Sequence, residues 1–213
     1  MKIAFRTAAS ACLYILASQV WAGVVAVQVQ DAAGNPLADV VVYAEPEAGS
    51  AESKNAKSAQ IEQRGLKFLP LVSVIQVGSQ VSFPNSDKVR HHIYSFSPAK
   101  KFDQKLYAGA AAATQVFDKA GTVVLGCNIH DRMIAYVKVV DTPYFAKSDA
   151  DGLARIDLPA AGKYLLRAWH FNMAANASAD QPLTVKAGDA LASASFRLAM
   201  KPVTADADAH AGH

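Results

Sequence analysis

Two cysteines are all that 213 residues contain, and no long apolar run follows the first two dozen positions. The second absence excludes a membrane-spanning helix in that part of the chain, which needs about 20 apolar residues. Charge of one sign is also lacking: 21 Lys and Arg stand against 18 Asp and Glu. So slight an excess argues against a nucleic-acid or anionic-membrane partner. No serine, cysteine or lysine stands in a recognisable nucleophile–base motif, so an enzyme is not expected. With 52% apolar and 18% charged residues the composition is that of an ordinary globular protein.

The N-terminus has its own layout. Lys2 and Arg6 precede a mostly apolar stretch, Thr7 to Ala17, and Val20-Trp21-Ala22 ends in a small residue. This order is that of a secretory signal peptide over 1–22, which places the mature protein in the periplasm. Cleavage would leave 19 basic residues against 18 acidic ones, a net charge of +1. It would also remove Cys12, leaving Cys127 as the single thiol. An exported chain with one cysteine makes no internal disulfide. An unpaired thiol there is open to oxidation, so burial or a metal should protect Cys127.

The mature chain reads as all-β. Val25, Val27 and Val29 alternate with other residues, and Val40 to Tyr43 is β-branched and aromatic. Glu45 to Ser58 shows no periodicity and reads as a loop or linker. Strand signals return from Gln60: Ser73 to Gln76, Gln80 to Phe83, His91 to Phe96, Thr122 to Leu125 and Ile134 to Val140. Lys100 to Ala113 reads as irregular, with an alanine run that suits a helical turn. After Asp141 come a hairpin, Ala154 to Leu158 with Tyr164 to Trp169, and two more strands, Leu183 to Val185 and Ala194 to Leu198. The expected division is 1–22 leader, 23–47 first part of a small β-sandwich, 48–59 linker, 60–142 a larger β-sandwich, 143–200 second part of the small one, and 201–213 a mobile tail.

Cys127-Asn-Ile-His130-Asp-Arg-Met133 is the most informative string. It places a thiolate, an imidazole and a thioether within seven residues between two strands. Such soft and borderline donors suit copper far better than magnesium or calcium. Two histidines and a cysteine in a plane, with a distant axial methionine, make a blue-copper site. The loop lacks one histidine, and His91 or His92 supplies it. Alternation sets His91 with Ile93 and Ser95 on one face and His92 with Tyr94 and Phe96 on the other. If Ile93 faces the core, so does His91, which makes His91 the preferred ligand. The expected copper ligands are therefore His91, Cys127, His130 and Met133. His170, His210 and His213 are not assigned to a site.

Residues 60–142 resemble a cupredoxin of the amicyanin and plastocyanin type. The resemblance rests on Phe68-x-Pro70, Val77-Gly78, Val81-x-Phe83-x-Asn85, His91-x-Ile93 and Cys127-x-x-His130-x-x-Met133. It implies a Greek-key β-sandwich, one type 1 copper ion and one-electron transfer. It also implies a redox partner protein, a periplasmic dehydrogenase or a cytochrome. The flanking parts resemble an Ig-like, transthyretin-like or carboxypeptidase-regulatory sandwich. Here the matching residues are Val27 to Leu37, Asp149-x-Asp-Gly, Leu158-Pro159 and Gly162-x-Tyr164. With Asp141 to Phe145 and Ala168-Trp169-His170, the whole chain is similar to bacterial proteins called methylamine utilization proteins.

Two departures stand out. His92 occupies the position where cupredoxins commonly have an asparagine that ties the ligand loops together, and Asn128 is the candidate replacement. Asp131 and Arg132 stand where amicyanins are more apolar, which puts a hydrophobic docking patch around His130 in doubt. Lys88, Arg90, Lys100, Lys101, Lys105 and Arg132 lie near the site in sequence, either as a solvated face or to steer an acidic partner. Two other readings follow from the same residues: a copper-handling module without electron transfer, and an adhesion or interaction sandwich in which Cys127 is merely buried.

Overall fold

The computed structural model describes residues 23–48, 56–107, 114–159, 161–173, 178–186 and 191–201. The leader, residues 49–55 of the linker, the alanine run 110–113 and the tail from 202 lie outside the described residues. Among the described residues the chain forms strands and turns only, so it is all-β, and no helix is long and apolar enough to cross a membrane.

The strands fall into three runs. The first holds β1 (Gly23–Asp31) and β2 (Val41–Pro46). The second holds β3 (Ala59–Gln60), β4 (Glu62–Gln63), β5 (Phe68–Leu69), β6 (Val72–Gln76), β7 (Ser79–Ser82), β8 (His91–Ser97), β9 (Lys100–Tyr107), β10 (Gln115–Phe117), β11 (Gly121–Cys127) and β12 (Ile134–Val140). The third holds β13 (Phe145–Lys147), β14 (Leu153–Leu158), β15 (Gly162–Trp169), β16 (Ala179–Val185) and β17 (Leu191–Leu198).

The first and third runs combine. β1 lies between β14, antiparallel, and β17, parallel. β2 lies between β13 and β15, with β16 outside β15. Alternation in β1 turns Val25, Val27 and Val29 inward, where they meet Ile156, Leu158, Leu166, Phe196 and Leu198 in one core. Polar residues between them face water, as a half-buried strand requires.

The second run makes its own sandwich. Sheet β10-β7-β3 faces sheet β6-β12-β11-β8-β9. Phe68, Phe83, Ile93, Phe117, Val123 and Leu125 fill the space between them, and Cys127 and Met133 belong to the same core. Each such fully buried side chain contributes about 1.5–3 kcal/mol of transfer free energy. Lys100–Tyr107, expected to be irregular, is instead an edge strand paired with β8. Its one described inward apolar anchor is Phe102, whose ring stacks on Phe83 at 5.8 Å. Edge strands carry many polar side chains, so the hydrophobic signal there is weak.

The two sandwiches meet through Val41, Tyr43 and Trp169 on one side and Val72 and Val140 on the other. Tyr136 stacks on Phe171 at 4.8 Å, and the Lys138 ammonium lies 5.3 Å from the Trp169 ring and 5.9 Å from that of Tyr43. Water is largely excluded here: desolvation pushes the Tyr43 phenol up to about 12 and holds Lys138 below the usual lysine range.

Candidate metal centre

The centre sits at one end of the second sandwich, where β8 begins and β11 ends. Alternation along β8 buries His91, Ile93 and Ser95 and leaves Phe96 outside. Cys127 closes β11 on the inward side, in step with Val123 and Leu125. Its register partner is Ile93, which brings the end of β11 beside the start of β8. The Asn128 amide continues that ladder, donating to the His92 carbonyl at 3.4 Å. The chain then turns back through residues 128–133. The Met133 amide donates to the His130 carbonyl at 2.9 Å, which closes the turn and lets β12 start at Ile134.

This fold-back brings three of the four expected side chains together. His91 Nδ1 and His130 Nδ1 are 3.2 Å apart. Cys127 Sγ lies 3.9 Å from the first and 3.6 Å from the second. A triangle with sides of 3.2, 3.6 and 3.9 Å has its centre about 2.1 Å from every corner. That distance is close to metal–nitrogen and metal–sulfur bond lengths of roughly 2.0–2.3 Å. His91 and Cys127 are buried and His130 is partly exposed. Met133 is 1% exposed and packs in the same core as Cys127. The donor set, two imidazoles and a thiol with a buried thioether close by in the chain, fits a soft or borderline metal ion.

His92 is placed elsewhere. It lies on the outer face, where its Nε2 is paired with the carboxylate of Asp103. Of the two adjacent histidines, the structure turns His91 to Cys127. His170 is also remote from this group. It is buried, and its Nδ1 accepts from the Asn172 amide at 3.1 Å.

One residue escapes a reading of ligand types alone. Asp87 accepts from His91 Nε2 at 2.8 Å, from the Gly65 amide at 2.6 Å and from the Leu66 amide at 3.1 Å. Burial would raise its pKa, but the two amides and His91 outweigh that and hold the carboxyl below its usual range. The contact with Asp87 fixes the ring so that Nε2 faces the carboxylate and Nδ1 faces Cys127 and His130. The amides converge because Gly65 and Leu66 both adopt left-handed backbone angles, φ 63° and 57°. Asn85 shapes the loop below: its Nδ2 donates to the Val89 carbonyl and its Oδ1 accepts from the Asp87 amide. The visible signal was the four-residue step from Asp87 to His91 within a polar turn.

The loops around the centre are less polar than Asp131 and Arg132 suggest. Leu66, Val89 and Ile129 are each about half exposed, at 48%, 47% and 50%.

No protein-family model and no curated protein matches the chain. Solved structures similar to parts of it include a novel purple cupredoxin from Nitrosopumilus maritimus, at 26% identity over 38% of this chain and 99% of that one, with a TM-score of 0.36. Amicyanin from Paracoccus versutus is 18% identical over 46% of this chain and 98% of that one, with a TM-score of 0.37. A Cu-containing nitrite reductase from Thermus scotoductus SA-01 is 24% identical over 45% of this chain, with a TM-score of 0.38, and the match spans only 25% of that longer chain.

Proposed function

We propose that this chain holds one copper ion through His91, Cys127 and His130, with Met133 as a weak fourth ligand, and serves as an exported one-electron carrier. The observation that carries the reading is the convergence of two imidazole nitrogens and one thiol on a common point at bonding distance. Copper, when bound, would supply a one-electron couple. The protein's own part is positional. Cys127 and His91 come from strand ends already locked into the β8–β11 ladder, so their geometry is set by the sheet. Asp87 holds the His91 ring by its far nitrogen. Met133 keeps the inner side of the centre dry. His130, the partly exposed member, is the edge through which an electron would leave. Four protein ligands leave no position for a substrate, so a carrier is favoured over an enzyme.

The periplasm as location, a dehydrogenase or cytochrome as partner, and kinship with methylamine utilization proteins belong to the same proposal. In it, the transthyretin-like half is a scaffold for the copper half.

The test is titration of the purified protein with Cu(II), read by metal analysis and visible absorption. One copper per chain with an intense thiolate-to-metal band is the expected result. Colourless binding would overturn the reading. Coloured binding without rapid electron self-exchange would leave a copper-handling module instead.

Asp87→Asn should weaken copper binding by about ten- to a hundredfold, the usual cost of losing the partner that orients a ligand histidine. Competition against a chelator measures this. Asn keeps one acceptor oxygen, enough for one of the Gly65 and Leu66 amides, so the thermal unfolding midpoint should move less than in Asp87→Ala, which loses both.

A further inference from the structure

The outer face of the β6-β12-β11-β8-β9 sheet is only half covered. Tyr136 and Lys138 of β12, with Val72 and Val74 of β6, pack beneath the other sandwich. On the uncovered half, Tyr94, Phe96, Val124 and Ile134 form an open apolar surface around a depression of about 340 Å³. Phe96 is 76% exposed, the most exposed large apolar side chain among the described residues. Tyr94 does not stand upright: its ring lies on the backbone of Gly126, where an added Cβ would come within 2.8 Å of the ring. The glycine thus flattens the surface beside Cys127. Exposed aromatic and branched residues in one contiguous patch mark an interaction site more often than chance.

The margin of this patch identifies the partner's chemistry. Register pairs Phe96 with Lys101 and Tyr94 with Asp103 across the β8–β9 hairpin, so Lys101, Asp103 and Lys105 share the outer face. The Asp103 carboxylate is already engaged by His92. Lys101 and Lys105 are exposed, and the described residues give neither a carboxylate partner. Asp103 stays 59% exposed between them, so the margin carries two lysines and one carboxylate and is net positive.

We infer that this flank is a docking surface for a protein whose own contact face has an apolar centre rimmed by carboxylates. It continues a sheet face that already packs against the second sandwich. The inference goes beyond the copper reading and does not require it: an apolar centre contributes affinity by burial, and Lys101 and Lys105 orient and accelerate encounter.

The test uses NMR of the isotopically labelled, metal-free full chain at low salt, with two probes. One is an acidic [2Fe–2S] ferredoxin and the other a basic c-type cytochrome. The ferredoxin should shift the amides of Tyr94, Phe96, Lys101, Val124 and Ile134, and the cytochrome should not. Raising the salt, or the double change Lys101→Glu and Lys105→Glu, should weaken the ferredoxin's apparent affinity about tenfold. Phe96→Ser, at an exposed position, should reduce the shifts without changing the unfolding midpoint. Four results would overturn the inference: no shifts with ferredoxin, shifts centred on Val89 and Ile129 instead, equal response to the cytochrome, or concentration-dependent shifts at the patch without any probe, which would make the occupant a second copy. Because metal is absent throughout, failure of the copper reading leaves this outcome unaffected.

Discussion

In Cys127→Ser the copper-dependent colour should vanish and copper affinity should fall by more than about a hundredfold, since a neutral hydroxyl replaces the softest of the donors. The change keeps the volume nearly constant, so the effect on folding is separable. A buried serine without a good acceptor costs about 1–3 kcal/mol, and the fold should survive that. If Cys127 were only a small apolar filler, the same variant would lose a little stability and nothing else. Metal analysis, visible absorption and thermal unfolding on one preparation distinguish these outcomes. Retention of the coloured copper form in the serine variant would sink the metal-centre reading outright.

Phe83→Ala should cost about 3–5 kcal/mol, the range for truncating a fully buried phenylalanine. In a chain of this size that lowers the unfolding midpoint by roughly 6–20 °C. Phe83 is 0% exposed and stacked on Phe102. Its carbonyl also accepts from Gln63 Nε2 at 3.0 Å, at the point where the chain leaves β7 for the turn holding Asn85 and Asp87. Loss of the ring should therefore loosen the support of His91 as well as the core. Thermal unfolding with and without copper checks both effects. A drop below about 1 kcal/mol would mean that the core re-closes around the vacancy.

Periodicity alone located most of the strands, because β-branched and aromatic residues alternate cleanly where one face is buried. Ile134 to Val140 was legible to the residue. Lys100–Tyr107 was not: its pattern is dominated by lysine, aspartate and glutamine, and it becomes a strand because the neighbouring β8 offers a ladder. Tertiary context there overrides weak local preference. At the centre, the spacing of Cys127 and His130 on one loop was the legible signal, and the structure sets those two beside His91. The choice between His91 and His92 needed only the two-residue repeat of a strand. Asp87 was hidden because its role depends on two amides from a turn more than twenty residues earlier, and nothing local encodes that meeting. The apolar flank was equally hidden. Val124 and Ile134 look like ordinary core residues until the sheet shows which side each occupies.

The order in which strands find partners carries a consequence for synthesis. Every partner of β1 and β2 lies beyond residue 144, whereas β3 to β12 pair among themselves. As the chain is made from its N-terminus, strands β3 to β12 can assemble while the first two wait with their edges bare. Val25, Val27, Val29 and Val40 to Val42 must then stay out of wrong pairings until more than a hundred later residues arrive. A holding factor that shields that valine-rich stretch in transit would answer a need written into the strand order itself.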